Sequence, residues 1–287
     1  MSVDSLQEKI RKTKNPSVVQ IEAIQDWLPP HLMEQEACLP NAFSRFCREL
    51  LEGLKGTVPA VRFGFGSFVM LGEEGVRALS ESMALAKELG FYVVMDLPEL
   101  LTPASARNIV TAVQNFSCDG VVAGSYLGSD ILMALRGLCE KGKAVFVVCR
   151  TANKSAVEMQ DLLTGGRLVH TAAADLIVRY AEPVMAKCGY SQMGAVAAAS
   201  SAQSTKTLRS KFPKLFLLLD GYDYPNANAK NCAEAFDRLG HGAAACAAES
   251  VLAAWREGES DGTDYVLLAV QAAERMKKNL TRYTTVL

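Results

Sequence analysis

The sequence is poor in the residues from which most enzyme sites are built. It has three histidines, His31, His170 and His241, far apart along 287 residues. None lies in a nucleophile or metal motif, so solvated or capping roles are expected for them. The eight cysteines (Cys38, Cys47, Cys118, Cys139, Cys149, Cys188, Cys232 and Cys246) stand singly, with no C-x-x-C pair and no Cys/His cluster at zinc spacing. That leaves reduced, packed thiols and no resident metal as the expectation. Charge of one sign is also missing: the formal net charge is −1, too little basic field to hold a nucleic-acid backbone or an anionic membrane surface. No stretch reaches the ~20 apolar residues of a membrane span. The charged opening MSVDSLQEKIRKTKN lacks an apolar core of signal-peptide length. A soluble, cytoplasmic protein is expected, with no nucleic-acid or membrane partner.

What is present is a rhythm. Short β-rich runs recur at SVVQI (17–21), TVPAVRF (57–63), FYVVMD (91–96), GVVAG (120–124), KAVFVVC (143–149), MGAVAAA (193–199), KLFLLLD (214–220) and GAAACAA (242–248). Between them apolar residues return at three- and four-residue spacing, as in 75–90, 127–142 and 229–240, and several of these segments end on the glycine of a helix C-cap. Eight strands, each followed by a helix, predict a (β/α)8 TIM barrel; an open doubly wound sheet gives the same alternation, and the count of eight favours the barrel. No Pro/Ser-rich linker interrupts the chain, so a single domain over 1–287 is expected. Additional helices are expected at 4–13 and in DYVLLAVQAAERMKKNL near the C-terminus.

Barrel chemistry sits at the C-terminal ends of strands, so those positions carry the candidates. Glu22 follows the first run, Arg62 lies in the second and Asp96 ends the third. Convergence of the three would make either a small anion or polar-ligand site or a structural salt-bridge cluster, the arginine lowering the pKa of both acids. No lysine or histidine stands beside them as acid or base. Asp220, Asp223 and Glu249 form an acidic rim or, alternatively, oxygen ligands for a divalent cation. Gly64 and Gly66 in RFGFGS lack the third glycine and later acid of a dinucleotide fingerprint and read as a loop.

The ordered segments NPSVVQIEAI, VPAVRFGFGSFVMLGEEGVRAL, SYLGSD, KAVFVVCRTANKSAVEMQDL, GYSQMGAVAAAS, LRSKFPKLFLLLDGYDYPNA and GHGAAACAAESVLAAW resemble the orotidine 5′-phosphate decarboxylase family, in its longer bacterial subgroup. The resemblance runs over about 5–256, leaving 257–287 as a C-terminal helical extension. It implies a dimeric barrel that converts orotidine monophosphate to UMP in de novo pyrimidine biosynthesis, without a cofactor.

It also implies a set of site positions, and most are altered. The family's third strand ends Asp-x-Lys-x-x-Asp; here the first acid is Asp96, the lysine position is Pro98 and the second aspartate position is Leu101. The first-strand aspartate corresponds to Glu22 and the second-strand lysine to Arg62. In the Thr-Ser-Asn motif Thr151 and Asn153 are kept and the serine is Ala152; Gln160 is also kept. In the phosphate grip, Pro225 stands for a glutamine and Glu249 for the arginine, a reversal of charge. A proline cannot donate a proton, and carboxylates repel a phosphate. The resulting expectation is a catalytically inactive homologue acting by binding or association, as a homodimer or in a mixed dimer with an active paralogue. The alternative is an active cofactor-free enzyme, weak on the family substrate or repurposed to another ligand through Glu22, Arg62 and Asp96.

Overall fold

A computed structural model describes residues 2–98 and 102–287. Leu101, together with Glu99 and Leu100, lies outside the described residues. The eight runs become strands β1 (Ser17–Ile21), β2 (Ala60–Phe63), β3 (Tyr92–Asp96), β4 (Gly120–Gly124), β5 (Ala144–Val148), β6 (Met193–Ala198), β7 (Leu217–Asp220) and β8 (Ala243–Ala247). Every neighbouring pair is parallel, and β1 closes on both β2 and β8, giving a complete barrel. The strands are therefore buried on two faces, which is why most read as unbroken apolar runs rather than alternating ones.

Period two divides each strand between two cores. One set, with Val18, Ala60, Tyr92, Val94, Val122, Phe146, Val196, Phe216 and Leu218, fills the barrel. The other, with Val19, Ile21, Val61, Phe63, Val93 and Val145, meets the surrounding helices. The same alternation carries the inward positions upward: Gln20 lies in register with Arg62, two residues beyond the pair Val18 and Ala60. Asp96 and Asp220 each stand two residues beyond an inward-facing residue, Val94 and Leu218. Polar side chains thus collect in one layer at the C-terminal mouth.

The opposite end is plugged. Helix Ser2–Thr13 sends Val3, Leu6 and Ile10 into the inner core. Its first turn is pinned by the Ser2 N–H donating to Gln192 Oε1 (2.8 Å) and by a Ser2–Tyr92 hydroxyl contact of 2.7 Å. On the outside, helix Leu39–Leu54 buries Phe43, Phe46, Cys47, Leu50, Leu51 and Leu54 at three- and four-residue intervals. The C-terminal helix Tyr265–Thr281 lies against it, with Tyr265 stacked on Phe46 and donating its hydroxyl to Glu49 Oε2 at 2.7 Å. No helix among the described residues is long and apolar enough to cross a membrane.

Three local expectations change. The 229–240 segment is helical only over Ala229–Ala233; the chain then tightens into i→i−3 bonds (Ala235 N–H to Cys232, Phe236 N–H to Ala233), and Asp237 holds a turn by accepting from the backbone N–H groups of Leu239 and His241. His170 is neither solvated nor exposed: it is 1% exposed, with Nδ1 at 3.0 Å from the Gln160 carbonyl and 3.1 Å from Asp161 Oδ1. Cys38 is an exposed thiol at the start of helix Leu39–Leu54, whereas Cys47, Cys118, Cys139, Cys149, Cys232 and Cys246 are buried.

Candidate functional site

Arg62 is the centre of the mouth layer. It is 5% exposed, and its guanidinium meets Asp96 in a bidentate pair, Nε to Oδ1 at 2.6 Å and Nη2 to Oδ2 at 2.9 Å, while Nη1 reaches across the barrel to Asp220 Oδ1 at 3.1 Å. Burial works against its charge, but the two carboxylates outweigh burial and hold Arg62 well above the ordinary arginine value. Burial pushes the Asp96 carboxyl up, with the Arg62 charge and hydrogen bonds opposing it. The lowered value expected for this acid is thus corrected: desolvation under the barrel rim exceeds what the arginine gives back. Cys246 abuts the same cluster, its thiol raised by burial to about 12, so it is no nucleophile.

Glu22 does not join this cluster, contrary to the expected trio; the second acid on Arg62 is Asp220. The Glu22 carboxylate lies past the end of β1 and accepts from Gln20 Nε2 at 2.6 Å and from the Ser67 hydroxyl at 2.7 Å. The Ser67 hydroxyl also lies 2.9 Å from the Gly64 carbonyl, and a Cβ on Gly64 would fall on the Glu22 carboxylate. The glycine after β2 therefore makes room for Glu22 to fold away from Arg62, toward Ser67.

Above this layer a cavity of about 520 Å³ opens between the ends of β1, β7 and β8. Four carboxylates line it, from Glu22, Asp220, Asp223 and Glu249, together with Trp27, Tyr224 and Pro225; no lysine, arginine or histidine is among its described lining residues. The rim acids are not arranged as a cation cage. Asp220 is turned to Arg62, Asp223 to Ala248 and Ser250, and Glu249 approaches Arg256 at 3.9 Å. A concave wall bearing several like charges favours neutral or positive groups and opposes anions.

The remaining candidates sit elsewhere. Thr151 and Asn153 are on the loop after β5 and do not line the cavity; Thr151 Oγ1 donates to Asn153 Oδ1 at 2.6 Å, and Gln160 Nε2 lies 2.9 Å from Thr151 Oγ1. Ala152 is buried against Gly221, whose missing Cβ leaves it space. Pro98 is exposed and follows Leu97, whose N–H donates to Val122 at 2.9 Å.

A second buried arginine, missed in the sequence, anchors the loop after β5. Arg150 pairs with Asp161 through Nε–Oδ1 at 3.0 Å and Nη2–Oδ2 at 2.9 Å, and the Arg150 hydrogen bond holds the Asp161 carboxyl below its ordinary value. Arg150 opens the stretch RTANKS and Asp161 lies beyond its end, so only folding brings them together.

Fold and site together define a (β/α)8 barrel with an acidic C-terminal mouth. No family model matches the chain. It is 22% identical over 284 residues to an orotidine 5′-phosphate decarboxylase of Clostridium novyi, covering 98% of each chain. It is 26% identical over 227 residues to one of Rhodopirellula baltica, covering 76% of this chain and 75% of that one. The structure of the Leishmania donovani OMP decarboxylase superposes with a TM-score of 0.74 at 21% identity, over 98% of both chains, a likeness of fold. Similarity in sequence along the whole chain, with the shared barrel, supports the orotidine 5′-phosphate decarboxylase family for this protein.

Proposed function

We propose that the protein is a member of this family that lacks substantial orotidine monophosphate decarboxylase activity and acts by binding or association. The observation that carries this reading is the mouth cavity with four carboxylates and no cation among its described lining residues. A nucleoside monophosphate brings a phosphate dianion, and its binding there would add charge of the same sign without a counter-ion. By correspondence with the family pattern, Pro98 replaces the proton-donating lysine and Glu249 the phosphate-holding arginine. Arg62, in the layer beneath the cavity, is already committed to Asp96 and Asp220. Loss of a proton donor and of remote binding energy each costs orders of magnitude in rate. The test is the decrease in orotidine monophosphate absorbance with purified protein, set against an active family member.

A second reading is favoured by the cavity itself, which is open at the strand C-termini where barrel enzymes work. In it, Glu22, Arg62 and Asp96 serve a non-phosphorylated ligand. Saturable binding or turnover of such a compound, lost in Asp96→Asn and Glu22→Gln, distinguishes it from association alone.

Association is proposed as a homodimer, with a mixed dimer beside an active paralogue as the further case. Leu101, at the position where the family sends an aspartate to its partner, offers no charge, so a mixed dimer should depress the partner's activity. Stimulation of the partner on titration contradicts it.

A further inference from the structure

The mouth contains a second tie besides the Arg62 cluster. Asp223, in the loop after β7, turns its carboxylate to the chain leaving β8: Oδ2 accepts from the Ala248 N–H at 2.5 Å, and Oδ1 accepts from the Ser250 hydroxyl. The loop is built to deliver it there. Gly221 has φ +74°, where a Cβ would strike Ala152 and the Tyr224 ring. Tyr224 N–H donates back to the Gly221 carbonyl at 3.1 Å, and Asn226 takes φ +71° to turn the chain again.

In (β/α)8 barrels the loops after the seventh and eighth strands are a frequent phosphate-holding place, because backbone N–H and hydroxyl donors converge there. Each such donor carries one hydrogen and serves one strong acceptor at a time. Here an acceptor of the protein's own, already anionic, has taken the Ala248 and Ser250 donors. An incoming phosphate would have to displace Asp223 and then sit beside the freed carboxylate, with Glu249 close by and Asp220 and Glu22 across the cavity.

We propose that Asp223 is a specificity-determining residue: an internal anion that occupies these donors and bars phosphate-bearing molecules from the mouth, leaving it to unphosphorylated ligands. This rests on the reading that the mouth accepts no nucleoside monophosphate, and it adds that the bar lies in an occupied set of donors as well as in the acidic lining of the cavity.

The experiment is a titration with inorganic phosphate, followed at the Ala248 amide by NMR, on the unmodified protein, Glu249→Arg, and Glu249→Arg combined with Asp223→Ala. The unmodified protein should not saturate. E249R alone should bind weakly, because the cation is supplied while the donors stay occupied. The double variant should bind at least about tenfold more tightly than E249R, the worth of freeing a charge-assisted hydrogen bond. Equal affinity of the two variants, or saturation of the unmodified protein, overturns the proposal. Hydrogen exchange of the Ala248 amide in the unmodified protein needs no substitution: protection agrees with the clasp, and exchange at an open-loop rate overturns it. Turnover of orotidine monophosphate would defeat the proposed lack of activity, whereas the comparison between E249R and the double variant tests Asp223 independently of turnover.

Discussion

Arg62 and Asp96 meet edge to edge, two nitrogens on two oxygens at 2.6 and 2.9 Å, below a cavity with no cation among its described lining residues. Asp220 takes the remaining face of the same guanidinium. Removing the arginine would leave two partly buried carboxylates without a counter-ion. Arg62→Ala should therefore cost about 3–5 kcal/mol of stability at neutral pH, read from urea unfolding midpoints. Arg62→Lys should recover only part of it, because an ammonium cannot make the bidentate pair. The loss should shrink on acidification, since a protonated Asp96 no longer repels Asp220; a loss independent of pH would argue against the cluster.

Asp161 titrates in the opposite sense. Arg150 holds its folded-state pKa below the unfolded value of about 3.9, so the unfolded chain binds the proton more readily. Its contribution to stability is complete above that unfolded value and disappears as pH falls through the lower folded value. The difference in unfolding midpoint between the unmodified protein and Asp161→Asn should be constant near pH 6 and narrow below about pH 4. A difference that widens in acid would contradict the pairing.

Glycines at two positions should respond differently to the same added methyl. A Cβ on Gly194 in β6 would lie 2.5 Å from the Phe216 carbonyl and 3.1 Å from the Phe146 ring, both in the barrel core. Gly194→Ala should destabilise by about 1–3 kcal/mol. Gly66, in the short helix Phe65–Val69, has nothing within 4 Å of its Cβ position. Gly66→Ala should be neutral or stabilise by up to about 1 kcal/mol, as alanine does in a helix. Thermal unfolding of the pair measures both.

Much of the barrel is legible in the sequence because eight β-rich runs of buried strand length alternate with helical spacing, and the observed strands fall inside all eight. The site is less so. Asp220 closes an apolar run, KLFLLLD, with no alternation to reveal which face it takes; only barrel closure brings it opposite Arg62. Glu22 stands near Arg62 in the strand pattern, yet Gly64 and Ser67 draw it aside, a packing effect with no periodic signature. The hairpin Leu163–Thr164 with Arg167–Leu168 turns on Gly165 and Gly166, a two-residue signal present in the sequence but too short to register as strands. Asp237 gives no periodic sign that it will hold the turn at 237–241, since its partners Leu239 and His241 are backbone donors.

The most direct measurement of the central proposal is turnover of orotidine monophosphate by the purified protein beside an active decarboxylase of the family, at matched concentration. A mouth walled by Glu22, Asp220, Asp223 and Glu249 should leave turnover more than about a hundredfold below that of the active enzyme. A rate within about a hundredfold of it would contradict the loss of decarboxylase activity.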